Sequence, residues 1–297
     1  MSEQEAKSAN IVPGSMVQAG MITRYTLLDY FRSRRFAILF VLVLLISALL
    51  TVVFAWKRPP EALLNPLAFY STWWGTSATL VVALAGIFFG GDAISSEFQN
   101  RTGYSVLPNP IRRSSVYVGK FVAALIAASI ILVIFAAITV VNELYYFGPN
   151  VPVEFWESAL FAWVYLLAVL GFTFFLSSAF KSGSYSILVS AVFLLFGFAL
   201  IEMIIQDLVG IEPWFILSYG SGIVGNVLQV WCPSLLSASY CVIGLPHVTT
   251  TATTIGRQVI TVTGYNAGNA EGLVIMVAYL VVTGILGLVL FERKEFN

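Results

Sequence analysis

Apolar residues in this chain neither alternate nor recur at helical spacing; over most of its length they simply run together. Five runs carry no Asp, Glu, Lys or Arg: 36–56, 63–91, 121–142, 158–180 and 272–291. A sixth, 183–201, is of similar length and ends at Glu202. A bilayer core of about 30 Å is crossed by about 20 apolar helical residues, and only a helix satisfies its own backbone amides in hydrocarbon without a closed barrel. Each run therefore predicts one spanning helix, and the expected fold class is an all-α integral membrane protein with six transmembrane helices. Composition agrees: 59% of the residues are hydrophobic and 10% charged, against about 25% charged in a soluble domain.

Net charge is zero, so the distribution of charge is more informative than its total. Lys7, Arg24, Arg32, Arg34 and Arg35 precede the first span; Arg101, Arg112, Arg113 and Lys120 separate the second from the third; Lys181 lies between the fourth and fifth; Arg293 and Lys294 follow the sixth. Only Lys57, Arg58 and Arg257 fall on the other side. By the positive-inside rule both termini are expected in the cytoplasm. All seven Trp (Trp56, Trp73, Trp74, Trp156, Trp163, Trp214 and Trp231) then fall near the outer face, which reads as an interfacial belt or as an aromatic-lined exit path.

The first run is too long for a signal-peptide core and ends in Trp56, Lys57 and Arg58 rather than a small-residue cleavage site, so it is expected to remain as a span. Ahead of it, Val17, Met21, Tyr25 and Leu28 share one face of a helical segment whose other faces carry Gln18, Arg24 and Asp29. That pattern suits a helix lying in the membrane interface. After the fifth span, 213–256 contains no charged residue and is broken by Gly220, Gly222, Gly225 and Pro233. One crossing there would invert the carboxy terminus, and two do not fit at about 1.5 Å per residue. A pair of short, partly inserted outer helices is expected instead, their backbone buried against protein. Val259, Ile260 and Val262 among threonines then suggest an exposed hairpin.

The polar insert at 92–120 stands out between two apolar runs. Asp92 suits an N-cap, Glu97 and Arg101 are spaced as a favourable i, i+4 pair, and Gly103 is a helix stop. A helix of about ten residues follows from these signals, with Ile94 and Phe98 on one apolar face that needs something to dock on. Pro108 and Pro110 then break the chain ahead of Arg112 and Arg113. A short amphipathic peg held between two spans is suited to passing force to a cytoplasmic partner.

The order of Glu97, Gly103, Leu107 with Pro110, Arg113, and Gly119 with Lys120 resembles the cytoplasmic loop of the permease subunits of ABC-2-type ATP-binding-cassette transporters. The resemblance extends loosely over the chain, although the Thr-rich outer segment has no counterpart. It implies a membrane domain at 36–291, preceded by a cytoplasmic segment with an interfacial helix at 1–35 and followed by a tail at 292–297, with a coupling loop at 92–120 and an outer loop at 206–271. It implies a dimer of permeases, identical or not, and two copies of a separate ATPase subunit, each gripping a coupling helix at 94–102. Ile94, Glu97, Phe98, Arg101, Thr102 and Arg113 are the residues it assigns to ATPase contact. ATP and Mg would belong to the partner and no cofactor to this chain. The expected setting is a prokaryotic plasma membrane, the expected direction export, and membrane lipid, not nucleic acid, the surrounding partner. The substrate is left open.

What the chain lacks supports that division of labour. A phosphate-cradling loop needs Gly-x-x-x-x-Gly-Lys and then a hydroxyl; around Gly119-Lys120 the first glycine is Ser114 and the hydroxyl position is Phe121. With one histidine, His247, a multi-histidine metal centre is excluded, no metal site is expected, and Ser221 within TyrGlySerGly reads as packing rather than a nucleophile. Glu143, Glu202 and Asp207 are the acids nearest a membrane interior, so an ion-coupled carrier or channel without an ATPase is the competing reading. Gly86 and Gly90, with Ala123/Ala127 and Ala124/Ala128, predict close helix contacts. Cys232 and Cys241 share the outer loop, and both a disulfide and two free thiols are open.

Overall fold

The computed structural model describes residues 14–59, 63–99, 112–231, 242–255 and 258–293. Among them six helices are long and apolar enough to cross a membrane. Helix α1 (Ser15–Arg32) leads into the first of these, α2 (Arg34–Lys57); α3 (Pro66–Gln99), α4 (Arg113–Phe147), α5 (Val153–Ala179) and α6 (Gly183–Gln206) follow. Two short helices, α7 (Leu217–Ser221) and α8 (Ile223–Asn226), precede β1 (Val230–Trp231), β2 (Val242–Ile243), β3 (Val248–Ile255) and β4 (Gln258–Tyr265), and α9 (Asn269–Arg293) completes the set.

Several spans outrun the apolar runs that predicted them. Helix α4 has 35 residues, roughly 52 Å at 1.5 Å per residue, because its first two turns continue through Arg113 and Lys120 past the hydrocarbon. Polar residues set the breaks. Ser33 is the elbow between α1 and α2: its amide bonds Tyr30 O, and its hydroxyl accepts from Phe36 N. Asn65 caps α3 at Ala68 N, with Pro66 in the first turn.

Helices α3 and α5 form the centre. Gly86 and Gly90 of α3 face Val169 and Thr173 of α5 so closely that an added Cβ would lie 2.3 Å from Val169 Cγ1 or 2.1 Å from Thr173 Oγ1. Small residues that let helix backbones approach are the membrane counterpart of ridge-and-groove packing, and Ala123, Ala124, Ala127 and Ala128 are likewise fully buried. The interfacial-belt expectation fails for Trp73 and Trp74. A π turn at Ser71–Gly75 places both indoles inside the protein with no exposed surface, where Trp74 Nε1 donates to Ser158 Oγ at 2.9 Å. The added residue per turn lets two consecutive side chains face the core. Trp56, Trp156 and Trp214 stay exposed.

Helix α1 lies against α4. Gln18 is buried there, accepting from Arg112 N, and Thr23 Oγ1 donates to Gly119 O at 3.0 Å. Val17, Met21, Tyr25 and Leu28 remain exposed as one apolar face, so the amphipathic pattern divides the helix between a protein side and a free side, not between water and lipid alone. The two short helices α7 and α8 are present as expected, buried among α3, α5 and α9: Ser158 Oγ donates to Val224 O, and Gly75 and Gly225 touch backbone to backbone. Strands β3 and β4 pair antiparallel from Val248↔Tyr265 to Ile255↔Gln258, which is the hairpin the Thr-rich segment suggested. Cys232 and Cys241 lie outside the described residues.

Candidate coupling site

The peg forms where α3 is interrupted. Residues 91–94 make a turn, and Ser95–Gln99 is a single helical turn beyond it. Arg101 and Thr102 lie outside the described residues. Asp92, expected as the N-cap, does something else: its buried carboxylate pairs with Arg35 at the start of α2. The free amides of the peg are instead capped from a different helix. Ser177 Oγ of α5 accepts from Ile94 N at 2.9 Å and Ser95 N at 3.0 Å. Orphan amides at a helix start need such acceptors, and here the acceptor is remote in sequence.

Three further ties hold the peg. Lys120 Nζ of α4 donates to Ala93 O at 2.8 Å and to the Glu97 carboxylate. Gly183 N, at the start of α6, donates to Gln99 Oε1 at 2.8 Å. Phe98 meets Phe291 of α9 edge to face, with ring centroids 6.2 Å apart; apart from the peg itself, Arg113 of α4 donates to Glu292 O of α9 at 3.0 Å. The peg is thus connected to α2, α4, α5, α6 and α9. Tyr30 of α1 donates to Phe89 O at 2.9 Å just above it, and burial first, then the charge of Asp92, raises the Tyr30 hydroxyl well above its ordinary value.

These contacts show how the residues expected at the ATPase contact sit within this chain. Ile94 has no exposed surface and its amide is satisfied internally; an apolar side chain at the junction is worth more packed against the chain's own helices than left for a partner. Phe98 is partly buried for the same reason. The rim is half-buried Ser96 and Glu97 with exposed Gln99, and behind it a polar cleft of about 390 Å³ runs from Asp29 to Lys120. Gly119 also acquires a role: a Cβ there would lie 2.8 Å from Ala19 O, so glycine is what lets α1 dock beside the lysine.

The acids singled out in the sequence sit elsewhere. Glu143 is fully buried with Tyr70 Oη 3.4 Å away, and Glu202 accepts from Ser218 Oγ, tying α6 to α7; the side chain of Asp207 is not among those described. Ser221 Oγ donates to Ser218 O at 2.7 Å. At the far end of the bundle, Glu212, His247 and Glu271 converge. Partial burial pushes the Glu212 carboxyl up, but the Tyr219 hydroxyl, Glu271 and His247 outweigh it and hold it below the usual range. Lys120, Arg35 and Ser177 were missed as partners of the peg because they lie 23 to 83 residues from their contacts, a separation no local spacing rule spans.

The arrangement defines a class: a multi-pass membrane protein whose interrupted second span bears a braced, solvent-facing turn. The family described as ABC-2 family transporter protein matches residues 21–296. The chain therefore belongs to that family, as a membrane permease of an ABC transporter and a transport component rather than a catalyst. No curated protein matches.

Proposed function

We propose that this permease is driven through the peg by a separate ATPase, that two permeases and two ATPases form the working unit, and that it exports its substrate across a prokaryotic plasma membrane. The observation that carries this reading is the bracing of the interruption, residues 92–99, against α2, α4, α5, α6 and α9 at once. A push on the rim is delivered to most of the bundle without passing through a flexible linker. Arg32, Arg34, Arg35, Arg112, Arg113, Lys120, Lys181 and Arg293 flank the same end, which supports a cytoplasmic setting for it by the positive-inside rule, within reach of an ATPase holding ATP and Mg. Helix α6 buries only 6% of its apolar window in this chain, leaving a face for lipid and for the second permease. Export rests on the family resemblance, since nothing here resembles an importer's coupling loop.

The test is purification of the tagged chain from its native host in mild detergent, with mass spectrometry of what accompanies it. A stoichiometric ATPase, lost from Ser96→Arg combined with Arg101→Glu, is the expected result. A chain that purifies alone under every extraction condition overturns the proposal in favour of a carrier or channel.

A further inference from the structure

At the end of the bundle opposite the peg, three distant segments bring metal-ligating side chains together. Glu212 follows α6, His247 precedes β3, and Glu271 lies in the first turn of α9. His247 Nε2 is 3.1 Å from Glu212 Oε1 and 3.4 Å from Glu271 Oε2, and one donor atom from each residue falls within 4.8 Å of the other two. Zinc holds nitrogen and oxygen ligands at about 2.0–2.2 Å, so donors around a tetrahedral ion stand about 3.4 Å apart. The two histidine separations lie at or a little below that edge.

As a plain ion pair the cluster is poorly balanced. A single imidazole nitrogen carries at most one hydrogen, yet two carboxylates face it, and among the described residues no Lys or Arg pairs with either. A divalent cation engages both carboxylates and uses the imidazole lone pair. Hydrogen bonds fix the surroundings of the cluster: Tyr219 Oη donates to Glu212 Oε1 at 2.7 Å, Gly268 N donates to Glu271 Oε2 at 3.3 Å, and Asn266 N donates to the backbone His247 O at 2.8 Å. The His247 side chain is 49% exposed, so an ion can enter from water.

We propose that Glu212, His247 and Glu271 form a site for a zinc-type divalent metal ion, with three protein ligands and a fourth position open to water. Imidazole with carboxylate suits zinc better than the all-oxygen sets that calcium and magnesium prefer. The bound ion clasps the hairpin region to the start of α9 beside α7. This inference is independent of the transport proposal.

The experiment uses the full chain without a histidine tag, in nanodiscs, stripped with a chelator, desalted after Zn²⁺ loading and assayed for metal, with Co²⁺ as a spectroscopic probe. One Zn²⁺ per chain and tetrahedral Co²⁺ absorption are expected. Affinity should fall about a hundredfold in His247→Ala and at least about tenfold in Glu212→Gln, while His247→Cys recovers binding and so shows that the alanine variant lost a ligand and not its fold. Cys232→Ser with Cys241→Ser should bind as the parent does. No retained metal in the parent, undiminished binding in His247→Ala, or loss confined to the cysteine variant would each overturn the proposal.

Discussion

Replacing Lys120 by Met tests whether the peg is a braced element. Lys120 is about as long as methionine, so the substitution keeps the packing of its stem and removes the ammonium. That group makes two charge-assisted hydrogen bonds, to Ala93 O and to Glu97, and the side chain is only 12% exposed. Hydrogen bonds to charged groups contribute about 1.5–3 kcal/mol each; taking the low end because Glu97 keeps 25% of its side chain in water, the loss is about 3 kcal/mol of local stability. Every 1.4 kcal/mol is a factor of about ten, so amides of the peg should open and exchange about a hundredfold faster. Hydrogen–deuterium exchange reads that local opening directly, and amides in α5 distant from the peg serve as the internal reference. Unchanged protection at 94–99 would refute the claim that α4 holds the peg, whatever the melting temperature does.

Ser177→Ala removes the shared acceptor of Ile94 N and Ser95 N; two buried amides without partners cost about 2 kcal/mol at the low end, read as roughly thirtyfold faster exchange of the same segment, and equal exchange would sink the remote-cap reading. Gly86→Val forces a Cβ to within 2.3 Å of Val169 Cγ1, overpacking that costs about 1–3 kcal/mol or more; its melting temperature in detergent should drop, whereas Gly284→Ala, whose Cβ meets nothing within 4 Å, should not. Gly119→Leu should lift α1 off α4, because its Cβ would come 2.8 Å from Ala19 O, and faster exchange in α1 with α5 unaffected is the outcome to look for.

Membrane class, span number and the presence of a helical interruption after the second span were legible in sequence because each depends on a local property. A run of apolar residues long enough to cross hydrocarbon has no soluble alternative, and a Thr-rich β-branched stretch bounded by glycine favours a hairpin wherever it lies. The glycine pair in α3 was readable for the same reason: Gly86 and Gly90 have no other use on one face of an apolar helix. The amphipathic division of α1 was half legible, since the exposed stripe at Val17, Met21, Tyr25 and Leu28 followed from spacing while the burial of Gln18 did not.

Tertiary structure alone decided how the polar residues of the peg are used. Asp92 looked like a cap because capping is a short-range option, but Arg35 offers its carboxylate a full charge, and Ser177 then supplies the cap from another helix. Ile94 is fully buried within the chain, and its amide meets Ser177 of α5, neither of which its spacing in the sequence indicates. Trp73 and Trp74 looked interfacial from their depth, and a π turn brought them inside. The Glu212, His247 and Glu271 cluster leaves no trace in spacing at all, since its members come from three segments. Local chemistry sets what each segment is; which distant group satisfies each buried polar atom depends on how the helices pack, and that is determined only when the whole chain is folded.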